Sequence, residues 1–221
     1  RNQAYAQAAM ESANKGDVRA RDYADKIDYS DFRKAARAYV DYQLVNAAID
    51  HKDAQEAVRL ARSGELTSIQ RVWAYTESAR LMAKSDAVRA AELLDEAAKE
   101  AGRIGSSDAD HARAVVAVAT QMFQLSRQRG WEMMSEVVKA SNSAEGFTGE
   151  DGRVMASLVT KGSASMTSSS VSSFDLAGIF ASLARDDFNR AVELTKEFNT
   201  EAPRATATLA IARAVLNEKR K

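Results

Sequence analysis

Apolar and small residues recur along most of this chain at intervals of three and four, with charged residues filling the positions between. Ala87, Ala90, Ala91, Leu94, Ala97, Ala98 and Ala101 fall on one face at that spacing, and Phe188, Ala191, Val192, Thr195 and Phe198 do the same. This is the period of an amphipathic helix rather than of a strand. It predicts helices over 1–14, 17–27, 31–50, 53–63, 67–84, 86–103, 108–127, 130–141, 174–184, 187–198 and 201–218. The first of these reads as the second half of a hairpin, followed by a turn and cap at Lys15-Gly16-Asp17.

One phrase returns five times: an Asp opening a helical run, a small or apolar residue at +4 and an apolar one at +7. It reads Asp17, Arg21, Ala24; then Asp53, Ala57, Leu60; then Asp86, Ala90, Leu93; and last Asp187, Ala191, Leu194. Between the last two stands Gly130, Met134, Val137, with Gly in the Asp position; Arg21 is the second departure. The anchors lie 36, 33, 44 and 57 residues apart. Self-similarity at a few tens of residues predicts stacked helical hairpins. An Asp suits each start, where its carboxylate accepts orphan N–H bonds and meets the positive end of the helix dipole. Pro203 sits in a first turn, the helical place that tolerates it.

A second echo is an Arg near the start of each second helix: Arg33, Arg71, Arg113 and Arg204. A cation there opposes the local dipole and needs a compensating partner. The favoured partner is the end of the preceding helix, whose unpaired carbonyls lie beside it in an antiparallel hairpin, or a nearby acid such as Asp28, Asp31, Glu65 or Asp108. The competing reading is a row of Args gripping an acidic ligand.

Residues 143–173 break the rhythm. Ser143 to Arg153 holds three Gly and the acids Glu145, Glu150 and Asp151, with Phe147 expected to stand exposed. No charge occurs from Gly162 to Phe174, and seven of the eleven residues 163–173 are Ser. Val154, Ala156, Leu158 and Thr160 alternate with Met155, Ser157 and Val159, and Lys161-Gly162 offers a turn. The segment is either a β-hairpin projecting from the helices or a flexible loop. Insertions in repeat proteins map to loops on one face, often a binding face, although a tolerated surface insertion has the same look.

Composition narrows the function. Ala fills 43 of 221 positions and Pro one, an all-α composition. Lys+Arg and Asp+Glu number 31 each, with no run dominated by one sign. The basic stripe that nucleic acid or an anionic membrane surface requires is missing. Zero Cys excludes disulfides, Cys-ligated zinc and thiol catalysis. The longest apolar runs, such as Ala114–Ala119, fall far short of the roughly 20 residues of a membrane span. Arg1 is not an initiator Met and the chain opens inside a helical pattern, which predicts a processed or truncated product and leaves cytoplasmic and exported locations both open.

Catalytic chemistry is poorly represented. His51 and His111 each stand beside acids, in different repeats, and read as turn residues near caps rather than as a metal pair. There is no G-x-S-x-G, G-x-x-x-x-G-K-[ST], G-x-G-x-x-G or H-E-x-x-H. The acids from Glu145 to Asp151 lack the alternating oxygen ligands of a calcium loop, and Asp186-Asp187 is an ordinary cap neighbourhood. No catalytic residue, metal or cofactor is assigned. The aromatics carry more interest: Trp73 and Tyr75 share one helix, and Tyr39 and Tyr42 the matching helix one repeat earlier. They read either as packing between repeats or as an interaction surface, where Trp and Tyr bury large area at little entropic cost.

The two-helix unit resembles tetratricopeptide-like and related α-solenoids in repeat length and small-residue spacing. It lacks their W-x₂-L-G-x₂-Y run and a closing Pro in each repeat, so no peptide-groove residue transfers. The whole chain, above all Phe147-Thr148-Gly149-Glu150-Asp151 and Ser173–Leu216 with SFDLAGIFASLARDDFNRAVEL and EAPRATATLAIARAVL, resembles uncharacterised bacterial Ala-rich helical-repeat proteins. That resemblance implies a fold and no activity.

The expectation is therefore an all-α chain, a right-handed α/α solenoid of about five helical hairpins forming one continuous domain over 1–221, with an insertion at 143–173. Its expected role is a non-catalytic protein–protein interaction or scaffold module, recognising a protein through Tyr39, Tyr42, Trp73, Tyr75, Arg33, Arg71, Arg113, Arg204 and Phe147. The alternative is a helical accessory domain of a larger enzyme or envelope protein that holds a peptide or lipid. A hydrolase using a groove between helices is a third, weaker expectation.

Overall fold

A computed structural model describes residues 1–160 and 163–218. The chain is mostly helical, with one small two-stranded sheet. In order the elements are α1 (Asn2–Ala13), α2 (Ala20–Asp25), α3 (Ser30–Asp50), α4 (Ala54–Ser63), α5 (Ser68–Met82), α6 (Ala87–Ala101) and α7 (Ala109–Leu125). Then come α8 (Arg127–Glu132), α9 (Met134–Ser143), β1 (Arg153–Thr160), β2 (Ser163–Ser170), α10 (Leu176–Asp186), α11 (Phe188–Thr195) and α12 (Glu201–Glu218). They pack as two units, one of Arg1–Leu93 with Val154–Ser169, the other of Leu94–Arg153 with Ser170–Lys221.

The expected caps form where Asp precedes a full helix. Asp53 accepts from Glu56 N–H at 3.0 Å, Asp86 from Arg89 N–H at 2.9 Å and Asp187 from Arg190 N–H at 3.0 Å. The small residues at +4 (Ala57, Ala90 and Ala191) are buried in each case. Asp17 instead accepts from Arg19 N–H at 2.9 Å in a turn, and α2 begins three residues later than expected.

The fourth copy of the phrase is displaced. The expected helix at 130–141 is two short helices, and the first is capped by Ser126, whose hydroxyl accepts from Arg129 N–H at 3.4 Å. Gly130 is thus not the cap but the small residue at +4, and the last two spacings become 40 and 61 residues. A Cβ there would lie 2.4 Å from the Phe123 Cα, so the approach of α8 to α7 admits only glycine.

In the first unit, α1 and α2 pack on α3, and α3, α4 and α5 pack in sequence. Arg21, the other departure from the phrase, has a specific use. Its Nε donates to Asp41 at 2.6 Å, and the other Asp41 oxygen accepts from the Glu65 N–H at 2.7 Å. Asp41 is fully buried with both oxygens satisfied, the condition under which a buried charge is tolerated. In the second unit α7 is buried at every position from Ala114 to Phe123, an all-round apolar helix packed by α8, α9 and α10. Helices α10, α11 and α12 pack on one another.

Candidate functional site

Residues 153–170 form the hairpin rather than the loop. The alternation predicted it: Val154, Ala156 and Leu158 are buried while Arg153, Met155, Ser157 and Val159 are exposed. Two residues join two strands of eight, and such a connection makes them antiparallel. The Val171 N–H donates to the Gly152 carbonyl at 2.7 Å just below the strands, which fixes the register with Arg153 opposite Ser170 and Val154 opposite Ser169. Gly149, at φ +83°, turns the chain toward the hairpin, and a Cβ there would meet Leu176 at 2.7 Å.

The inner side of the hairpin is seated on the aromatics of α3 and α5. Tyr42 and Trp73 stack with centroids 5.1 Å apart. The Tyr42 hydroxyl donates to the Val154 carbonyl at 3.1 Å and lies 2.7 Å from Ser169 Oγ. Ser169 in turn donates to Asn46 Oδ1 at 2.6 Å. Burial pushes the Tyr42 phenol above its usual pKa, which keeps it a donor. Gln70 closes the capping box of α5: its Oε1 accepts from the Thr67 N–H at 3.0 Å, and Thr67 Oγ1 accepts from Gln70 N–H. The amide nitrogen of the same side chain donates to the Met155 carbonyl at 2.8 Å, clamping β1. Thr167 donates to Gln43 Oε1 at 3.4 Å.

The sequence-derived candidates therefore divide. Tyr39, Tyr42, Trp73, Tyr75 and Phe147 are all 5 % exposed or less. They are core, and Phe147 is buried where exposure was expected. An amphipathic helix pattern shows which face is apolar but not that a hairpin from over 100 residues away covers it. Arg33 donates to the Ile27 carbonyl at 2.9 Å and Arg71 to the Gly64 carbonyl at 3.0 Å, so both stitch the turn before their helix. Arg113 does something else. Its Nη1 donates to the carbonyls of Asp151 and Arg153, at 3.3 and 3.1 Å, and to the Asp151 carboxylate at 3.1 Å, while Nη2 pairs with Asp110. It grips the strand's entry. Arg204 is exposed, with no hydrogen bond from its guanidinium among the described residues. The four do not form one row of free cations.

Gln70, Asn46, Gln43 and Ser169 were missed. The Thr67-x-x-Gln70 capping box was legible in the sequence, but the second use of Gln70 was not, because its partner lies 85 residues away.

What the hairpin leaves outward is uncharged above Arg153. Met155, Val159 and Met166 are 56, 70 and 73 % exposed, among Ser157, Ala164, Ser168 and Ser170. A cleft of about 630 Å³ opens beside it, lined by Arg1, Tyr29, Phe32, Val159 and Thr160 among others. A shallower one of about 450 Å³ carries Glu150, Asp151 and Asp175. Burial, and then the neighbouring Asp151 and Glu150, push the Asp175 carboxyl above the usual range, against the pull of Arg113.

Among the described residues no three His, Cys, Asp or Glu are placed to hold a metal. His51 is exposed at the end of α3, and His111 donates through Nδ1 to the Ala101 carbonyl at 3.0 Å. No described helix is long and apolar enough to cross a membrane. Comparison with family models, with curated proteins and with solved structures finds no match for the chain.

Proposed function

We propose that this chain is a non-catalytic protein-interaction or scaffold module, built from helical hairpins of the kind that stack in α/α solenoids, with the β-hairpin as its recognition element. The observation that carries this reading is the contrast between the two sides of the hairpin. The inner side is fixed by a Tyr–Trp stack and by side-chain bonds to strand carbonyls. The outer side presents Met155, Val159 and Met166 to solvent without a charge among them. A contiguous apolar patch rimmed by small polar residues marks interaction surfaces, and rigid support lowers the entropic cost of using one. In this reading the aromatics and Args serve recognition indirectly, by holding the hairpin.

The test is quantitative capture from a lysate of the source organism with the wild-type chain and with M155D/V159D. Both changes point outward and should leave the circular dichroism spectrum intact. A protein retained by the wild type and lost by the variant supports the module; identical profiles on the two baits sink it. The cleft lined by Tyr29, Phe32 and Val159 supports a second reading, a site for a peptide or lipid chain. Titration with fatty acids and apolar peptides, with Y29A as control, separates the two.

A further inference from the structure

We infer that the free edge of β2 pairs with the β2 edge of a second copy of this chain, joining two hairpins into one four-stranded antiparallel sheet. The inference rests on the hairpin being the recognition element, but it concerns its edge rather than its outer face.

The register places Ser163, Ser165, Thr167 and Ser169 in the pairs bonded to β1. The backbone N–H and C=O groups of Ala164, Met166, Ser168 and Ser170 then point away from β1. No hydrogen bond to the N–H of Met166 or Ser168 occurs among the described residues. The matching groups on the other edge are different: the Met155 carbonyl is held by Gln70 and the Arg153 carbonyl by Arg113. One edge is closed by side chains and the other is open.

Open edges are normally protected by Lys, Pro, a bulge or brevity. Here eight consecutive strand residues, SASMTSSS, include no Lys, no Pro and no charge of either sign. Unpaired backbone donors and acceptors in that array are complementary to an extended strand.

Charge and side-chain chemistry point to a copy of β2 as that strand. Antiparallel pairing about a two-fold axis normal to the sheet brings neutral residues against neutral residues, so nothing repels. The incoming Ser165, Thr167 and Ser169 face the helix side, as they do in their own unit. Beside the edge on that side lies a groove of about 400 Å³ lined by Asn14, Gln43, Asn46 and Asp50, with Met166 and Thr167 at its rim. Hydroxyl side chains suit an amide- and carboxylate-lined groove, and an apolar or acidic strand does not.

The experiment measures mass by sedimentation equilibrium over a rising concentration series of the full chain, alongside S168P and M166K. Ser168→Pro deletes an outward donor without touching the β1 ladder, and Met166→Lys installs the missing charge. The expected result is a concentration-dependent dimer in the wild type and a monomer in both variants, all three with the same helical circular dichroism. A synthetic peptide of residues 163–171 should compete with the dimer. A wild type that stays monomeric overturns the proposal, even where it binds the peptide, because the edge then takes a free strand and not a copy. A dimer that survives in both variants overturns it as well. M155D/V159D should dimerise normally, so loss of partner capture there and loss of dimer in S168P report separately on the outer face and on the edge.

Discussion

The longest helix of the first unit, α3, buries two polar side chains side by side, Asp41 and Tyr42, and each reaches a different part of the chain. Asp41 joins Arg21 of α2 to the turn between α4 and α5, and Tyr42 meets the hairpin. The central helix of the second unit, α7, buries a continuous stretch of Ala, Val, Met and Phe, and its Thr120 hydroxyl turns back to the Val116 carbonyl at 2.7 Å. Polar contacts demand particular partners at particular distances, whereas apolar burial rewards area and accepts many arrangements. The first unit thus has its register set by directed bonds, and the second by shape.

The sharpest way to break this contrast is Asp41→Ala. It strands the Arg21 guanidinium in the interior and orphans the Glu65 N–H, and removing one partner of a buried pair costs about 3–5 kcal/mol. A fall of that size in unfolding free energy, measured by urea titration, is expected. The double variant Arg21→Met with Asp41→Leu should recover most of the loss, because apolar residues of similar volume often replace a buried pair at no net cost. A single variant that unfolds at the wild-type urea midpoint would show that directed bonds do not set the first unit's register.

Gly130→Ala tests the second unit on the same terms. Helix propensity alone favours Ala over Gly by about 1 kcal/mol. Shape says the reverse, since the new Cβ would sit 2.4 Å from backbone of α7 and 2.5 Å from the Phe123 Cβ. Overpacking of this kind costs about 1–3 kcal/mol, so a net loss of stability in the same titration is expected. A gain would mean that α8 moves away freely and that close packing there carries little.

This contrast also explains what was readable beforehand. Helix existence and most starts followed from the 3,4 spacing and from Asp53, Asp86 and Asp187, because a cap and its first turn are local. The alternation Val154, Ala156, Leu158 pointed to the hairpin for the same reason. Gly130 misled because a glycine serves both as a helix boundary and as a site of close approach, and only the neighbour Phe123 decides between them. Tyr42 and Trp73 looked like surface aromatics because the covering strand is over 80 residues away in sequence for both. Arg21 interrupted the repeat without explanation until Asp41 stood opposite it. What resisted reading was in each case a contact whose second partner is distant.

The smallest expected effect concerns a carboxylate that shape has left without a partner. Asp175 precedes α10 yet makes no cap bond, and its Oδ1 is buried and unpaired among the described residues. Glu150 and Asp151 face it with like charge, and Arg113 offsets them only in part, so its pKa is raised on folding. The native state then holds a proton that the unfolded chain has released, and stability from this group is full below the unfolded pKa and lost as pH rises through the folded one. Asp175→Asn carries no such charge and should be more stable than wild type at neutral pH. The gain should stay below about 1 kcal/mol, since solvent reaches much of the site and screens it. The two proteins should converge below pH ~4, where the carboxyl is protonated in both states. Thermal midpoints from pH 3 to 8 check this, and a variant less stable at neutral pH would show that the carboxylate supports the α10 N-terminus after all.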